Sequence, residues 1–110
     1  MNPQDRPRLP RRRLLAVLLA LVLAAAFQPV AVSIANFSFT PASVTIARGC
    51  SVKWTQTSTT KHTTSSTTGV WDSGQLSQNQ TFTRQFTSAG TFAYQCTIHP
   101  GSMQGTITVN

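Results

Sequence analysis

Four residues of the 110-residue chain carry side chains that suit a soft metal: His62, Cys96, His99 and Met103. Three of them fall in one run, Cys96-Thr97-Ile98-His99-Pro100-Gly101-Ser102-Met103. A thiolate, an imidazole and a thioether therefore share a short loop. His62 lies 34 residues before Cys96, next to a different expected strand. Sulfur ligands favour copper, and imidazole suits both of its oxidation states. Two His and one Cys in a near-trigonal plane, with a long and weak axial Met, make an electron-transfer site. Each residue alone has a plainer reading. His62 would be a surface histidine in a Thr-rich stretch, and Cys96 a small buried hydrophobe. Cys-x-x-His also occurs in zinc sites, and Met103 could fill a core. The combination points to copper, because it uses both histidines and every methionine after Met1.

Strands must position these groups. Phe92, Tyr94 and Cys96 alternate with polar or small residues, which turns the Cys96 sulfur inward. His99 then lies past the strand end, where one ring edge can face solvent. Val32, Ile34, Phe37 and Phe39 mark a first strand, with a bulge expected at Ala35–Asn36. Val44 and Ile46 mark a second. Cys50, Val52 and Trp54 alternate with Ser51, Lys53 and Thr55 in a third. Residues 55–69 carry almost no apolar pattern and read as a strand edge plus a polar loop, with disorder a rival for Ser65–Gly69. Asp72-Ser73-Gly74 is a turn signal. Phe82, Arg84 and Phe86 form another alternating run, and Ile107 and Val109 point inward in the last strand. Gly90 and Gly105 are expected at turns that need positive φ. Phe37, Phe39, Trp54, Trp71, Phe82, Phe86, Phe92 and Tyr94 supply much of the core. Short strands and tight turns argue for two packed sheets or a small barrel.

The first residues read differently. Five arginines precede an uncharged run from Leu14 to Phe27, and Ala24 and Ala26 form an A-x-A site. These are the parts of an export signal cleaved after Ala26. An uncleaved membrane anchor is the alternative, although a single span needs about 20 apolar residues. The division is then a signal peptide at 1–26 and one domain at 27–110. Of the net charge of +7, the segment to Ala26 holds five Arg and Asp5; the rest keeps Arg48, Lys53, Lys61 and Arg84 against Asp72. The basicity is mostly a targeting property and no argument for nucleic acid. One Asp and no Glu after residue 26 exclude paired-carboxylate hydrolysis within one chain. An exported chain with two Cys also invites a Cys50–Cys96 disulfide, which would remove the thiolate. The strand phase instead places Cys50 as a buried thiol remote from the metal end.

The sequence resembles the cupredoxins, blue copper proteins of the plastocyanin and amicyanin type. The resemblance rests on Asn36-Phe37-Ser38-Phe39-Thr40-Pro41, Gly49-Cys50-Ser51-Val52-Lys53-Trp54, His62-Thr63, Asp72-Ser73-Gly74, Thr91–Pro100 and Met103–Val109. It implies an all-β Greek-key β-sandwich of seven to eight strands with the metal at one end. It implies one type 1 copper held by His62, Cys96, His99 and Met103. It implies a monomer that is no enzyme, takes no small-molecule substrate, and carries single electrons between protein redox partners docking near His99. Export would place it in the periplasm or outside the cell. Two features depart from the pattern. The His-x3-Met spacing is that of azurin-like proteins, and Thr63 stands where plastocyanin and amicyanin often have Asn. The Thr63 hydroxyl is expected to bond across to the Cys loop and hold the two ligand loops in register.

Overall fold

The structure is a computed structural model that describes residues 28–110, so the expected export signal or anchor lies outside the described residues. Eight strands form two four-stranded sheets, and no helix is present among the described residues. The strands are β1 (Val30–Ala35), β2 (Ser38–Thr40), β3 (Ser43–Ile46), β4 (Ser51–Gln56), β5 (Ser65–Ser66), β6 (Thr81–Gln85), β7 (Gly90–Gln95) and β8 (Gln104–Val109). One sheet has the order β2-β1-β4-β6 and the other β3-β8-β7-β5. β1 pairs parallel to β4, and β3 parallel to β8; the remaining neighbours are antiparallel. This all-β sandwich agrees with the expected class.

Period-2 alternation explains the packing. Val32 and Ile34 of β1, Val52 and Trp54 of β4, Tyr94 of β7, and Ile107 and Val109 of β8 are buried between the sheets. Trp54 lies within 6 Å, ring centre to ring centre, of Trp71, Phe82 and Tyr94. Full burial of an aromatic of this size contributes about 2–3 kcal/mol. Gly105 is in strand β8 rather than in a turn. It faces Tyr94 across the ladder, and a Cβ there would overlap the tyrosine ring. The glycine therefore makes room for an aromatic and does not supply a special φ. Gly90 does have a positive φ, of 149°.

Other expectations are corrected. The stretch from Val32 to Phe39 is no single bulged strand. It is the hairpin β1–β2, closed by Asn36 and Phe37 with φ of 52° and 56°. Positive φ at both turn residues is the geometry whose twist matches two flanking antiparallel strands. Phe37 thus leaves the core and is half exposed at the tip. Arg84 is not simply solvated: its guanidinium stacks over Trp71 and Phe86, at 5.3 and 4.8 Å from the ring centres. Cys50 is half-buried just before β4, and no disulfide joins it to Cys96. It lies at the end of the sandwich where Gly49 donates to the Phe86 carbonyl.

The opposite end collects four segments. They are the 36–37 turn, the chain after β4, the stretch before β6, and the loop after β7. All four meet there because β1, β4 and β7 end, and β6 and β8 begin, at the same rim.

Candidate metal centre

β7 delivers Cys96 one residue past its last paired position. The loop that follows closes on itself. His99 N–H donates to the Cys96 carbonyl, Met103 N–H to the His99 carbonyl, and Cys96 N–H to the Met103 carbonyl, at 3.2, 3.2 and 3.1 Å. Gly101, at φ 87°, lets this tight loop turn. His99 is brought back toward the sulfur, and Met103 is fully buried against the core.

His62 arrives by a different route. It follows β4 and exchanges both backbone hydrogen bonds with Leu76, at 2.7 and 3.3 Å. The residues between are organised by Gln56, the last residue of β4, which is fully buried. Its Nε2 donates to the carbonyls of Thr60 and Leu76, and its Oε1 accepts from the Ser58 amide and hydroxyl. Gln56 was not anticipated as part of the site. Its signal was nevertheless present: it continues the inward phase of Val52 and Trp54, and an inward polar residue at a strand end must satisfy its amide locally. The expected strand edge and polar loop are present at 55–61 and 66–69, but His62, Thr63, Thr64 and Ser65 between them form a buried wall, all at most 4% exposed.

The fold brings His62, Cys96 and His99 together. One donor atom of each lies within 4.8 Å of the others. Both imidazoles present Nδ1 to the sulfur, at 3.8 Å for His62 and 3.6 Å for His99. Cys96 and His62 are fully buried, and His99 is half-buried. The Thr63 amide donates to the Cys96 sulfur at 3.3 Å. The Thr63 hydroxyl accepts from the Thr97 amide at 2.9 Å and pairs with the Thr97 hydroxyl at 3.1 Å. The tie expected of Thr63 between the two ligand loops is therefore present. Phe37 closes the outer side, standing edge to face with both His62 and His99 at 5.4 and 4.9 Å.

The electrostatics suit metal binding. Burial pushes the His62 imidazole below its ordinary value of 6.5, and nearby His99 adds to the effect. A neutral imidazole is the form that coordinates a metal. The buried Cys96 sulfur receives the Thr63 N–H, which fixes its place beside the two imidazoles. One soft buried sulfur with two convergent imidazole nitrogens is a donor set that fits copper. Close by, burial raises the Tyr94 hydroxyl to about 12, against a smaller opposing pull from Trp54.

Solved structures similar to this chain include several of amicyanin. A reduced tryptophan-to-tyrosine mutant of amicyanin is 25% identical with a TM-score of 0.70, covering 74% of this chain and 82% of its own. A proline-to-glycine mutant in its reduced Cu(I) form at pH 4 is 26% identical over the same shares, also at 0.70. The Cu-containing nitrite reductase from Thermus scotoductus SA-01 shares the fold at 24% identity, but this chain spans only 22% of it. No curated protein sequence matches significantly. The profile of copper binding proteins of the plastocyanin/azurin family matches residues 28–110, which with this centre places the chain in that family: it is a cupredoxin.

Proposed function

We propose that the chain is an exported carrier of single electrons between protein partners, with His62, Cys96, His99 and Met103 as the copper ligands. The observation that carries this reading is the unequal burial of the donors. His62, Cys96 and Met103 are sealed in, whereas His99 keeps an edge at the surface. Copper bound there supplies a one-electron couple. The protein's part is to hold the donors in place through the closed Cys96–Met103 loop and the Thr63–Thr97 tie. A rigid donor set changes little when one electron is gained or lost. The His99 imidazole offers a short path from the buried sulfur to the surface.

The surface around His99 supports docking. Phe37 and Ile98 are exposed apolar side chains beside it, and Pro100 is exposed as well. Exposed apolar groups of this kind mark contact sites on soluble proteins. Lys61, exposed next to His62, adds a positive charge that steers an acidic partner. Catalytic metal sites keep an open position. Four side-chain donors leave none here, so the reading is a carrier and no enzyme.

The test is the absorption and paramagnetic-resonance spectrum of copper-loaded protein beside a Cys96→Ser variant, with voltammetry of the wild type. An intense sulfur-to-copper charge-transfer band, absent in the variant, and a reversible one-electron couple are expected. No such band in the wild type overturns the carrier. Rapid surrender of Cu(I) to a chelator, with no stable Cu(II) form, would assign copper delivery instead. The N-terminal residue of the protein recovered from cell fractions tests export and the cleavage after Ala26.

A further inference from the structure

We propose that Asp72, the one acidic residue after residue 26, is a positioning residue for the metal centre and acts through a relay of three hydroxyls. Its consequence for the metal rests on the copper reading; its geometry does not. Asp72 is exposed and forms an isolated antiparallel bridge with Ser65, and its Oδ1 accepts from the Ser65 hydroxyl and from the Gly74 amide, both at 2.9 Å. Ser65 is buried and lies 2.9 Å from the Thr63 hydroxyl. Thr63 in turn meets the Thr97 hydroxyl at 3.1 Å. The relay thus runs from a surface carboxylate to the residue that follows Cys96.

Its direction follows from counting hydrogens. Each hydroxyl has one hydrogen to donate, and an ionised carboxylate only accepts. Ser65 must therefore donate to Asp72. Its hydrogen is then committed, so Thr63 donates to Ser65. The Thr63 hydrogen is committed in turn, so the Thr97 hydroxyl donates to Thr63. The Thr63 oxygen consequently receives both the hydroxyl and the backbone N–H of Thr97. Meanwhile the Thr63 backbone N–H points at the Cys96 sulfur. One acceptor at the surface thereby settles the orientation of three hydroxyls and pins Thr63 between the two ligand loops. Without it, the Ser65 hydrogen has no assigned acceptor, and the Thr63 and Thr97 hydroxyls lose their fixed direction.

Two substitutions separate acceptor from charge. Ser65 and Gly74 converge on the same Asp72 oxygen, so Asp72→Asn must present its carbonyl there and keeps the relay. Asp72→Ala deletes the acceptor, and Ser65→Ala cuts the relay while leaving the carboxylate. Amide hydrogen exchange on the metal-free protein is the primary measurement. Exchange at Thr63 and Thr97 should rise about tenfold in Asp72→Ala and in Ser65→Ala, and stay within about threefold of wild type in Asp72→Asn. The double variant should be no worse than the worse single one, as for residues acting in one chain. The amides of Thr64 and Ser66, which bond to Ser73 and Trp71 outside the relay, should hold their rates. In copper-loaded protein the two relay-breaking variants should change the ratio of the charge-transfer bands, and Asp72→Asn should not.

Unchanged exchange in Asp72→Ala overturns the proposal. So does an Asp72→Asn variant as perturbed as Asp72→Ala, or equal acceleration at Thr64 and Ser66, which would mean a purely structural bridge. A wild type without the charge-transfer band would sink the electron-carrier reading, while the exchange rates would still decide the relay.

Discussion

The two segments that carry the candidate metal ligands differ in how they are held. The Cys96–Met103 loop is bonded mostly to itself: three backbone hydrogen bonds link Cys96, His99 and Met103. The His62 segment has no such closure. It hangs on Gln56 and Leu76 from one side, on Thr97 and Cys96 from another, and on Ser73 and Trp71 through Thr64. The first loop is therefore local in sequence and readable by spacing. The second is assembled from contacts over 7 to 34 residues, and its Thr- and Ser-rich sequence hides them. A ligand that arrives by long-range bonding is exposed to damage far from the metal, whereas the local loop is not.

Breaking that contrast is simplest at Gln56. Gln56→Ala removes four hydrogen bonds, to the Thr60 and Leu76 carbonyls and from the Ser58 amide and hydroxyl, and strips the Ser58 amide of its acceptor. The metal-free protein should lose about 3 kcal/mol, read as a lower urea midpoint. Copper uptake should weaken too, although Gln56 touches no ligand side chain among its hydrogen bonds. In the local loop, Gly101→Ala should be milder. A Cβ there meets nothing within 4 Å, so only the positive φ resists it. The expected loss is about 1 kcal/mol, with the Thr63 amide still protected from exchange. Equal losses from these two variants would remove the distinction between the segments.

Phe37 sharpens the comparison from outside. Phe37→Gly relieves a positive φ but gives up ring contacts and frees the unfolded chain. These terms offset, so the unfolding free energy should move by less than about 1 kcal/mol. Copper loss to a chelator should nevertheless accelerate, because both imidazoles lose their aromatic cover. A large stability loss with unchanged copper release would return Phe37 to an ordinary packing role.

The mildest effect is expected from pH. The His62 pKa is lowered in the folded state, so the unfolded chain binds more protons just below 6.5. The corresponding stability is fully present above 6.5 and declines as pH falls toward the folded value. Urea unfolding of the metal-free protein across this range should show the decline, and His62→Gln should flatten it.

Several parts of this arrangement were legible in the chain. The phase of Phe92, Tyr94 and Cys96 predicted an inward sulfur, and β7 provides it. The turn expected at Asp72–Gly74 is instead an isolated bridge from Asp72 to Ser65, followed by Gly74 at positive φ, and its use as the end of a relay was not legible. Phe37 was misread because an apolar residue in an alternating run is assigned to the core. Nothing local shows that the two residues before Ser38 reverse the chain. The buried wall from His62 to Ser65 was misread because period-2 analysis detects apolar burial only. Hydroxyls become buried when they are hydrogen-bonded, and their partners lie elsewhere in the chain.

The sequence alone determined the candidate donors, the strand phases, and the closeness of Cys96, His99 and Met103 along the chain. Covalent proximity and side-chain alternation act over a few residues, so they can be read from a few residues. Tertiary structure decided that His62 joins them, that His99 alone keeps an edge at the surface, and that Phe37 covers both rings. It also decided the tie through Thr63 and the relay back to Asp72. These depend on which rim each strand reaches and on hydrogen bonds satisfied across the sandwich, and only the packed sheets set both.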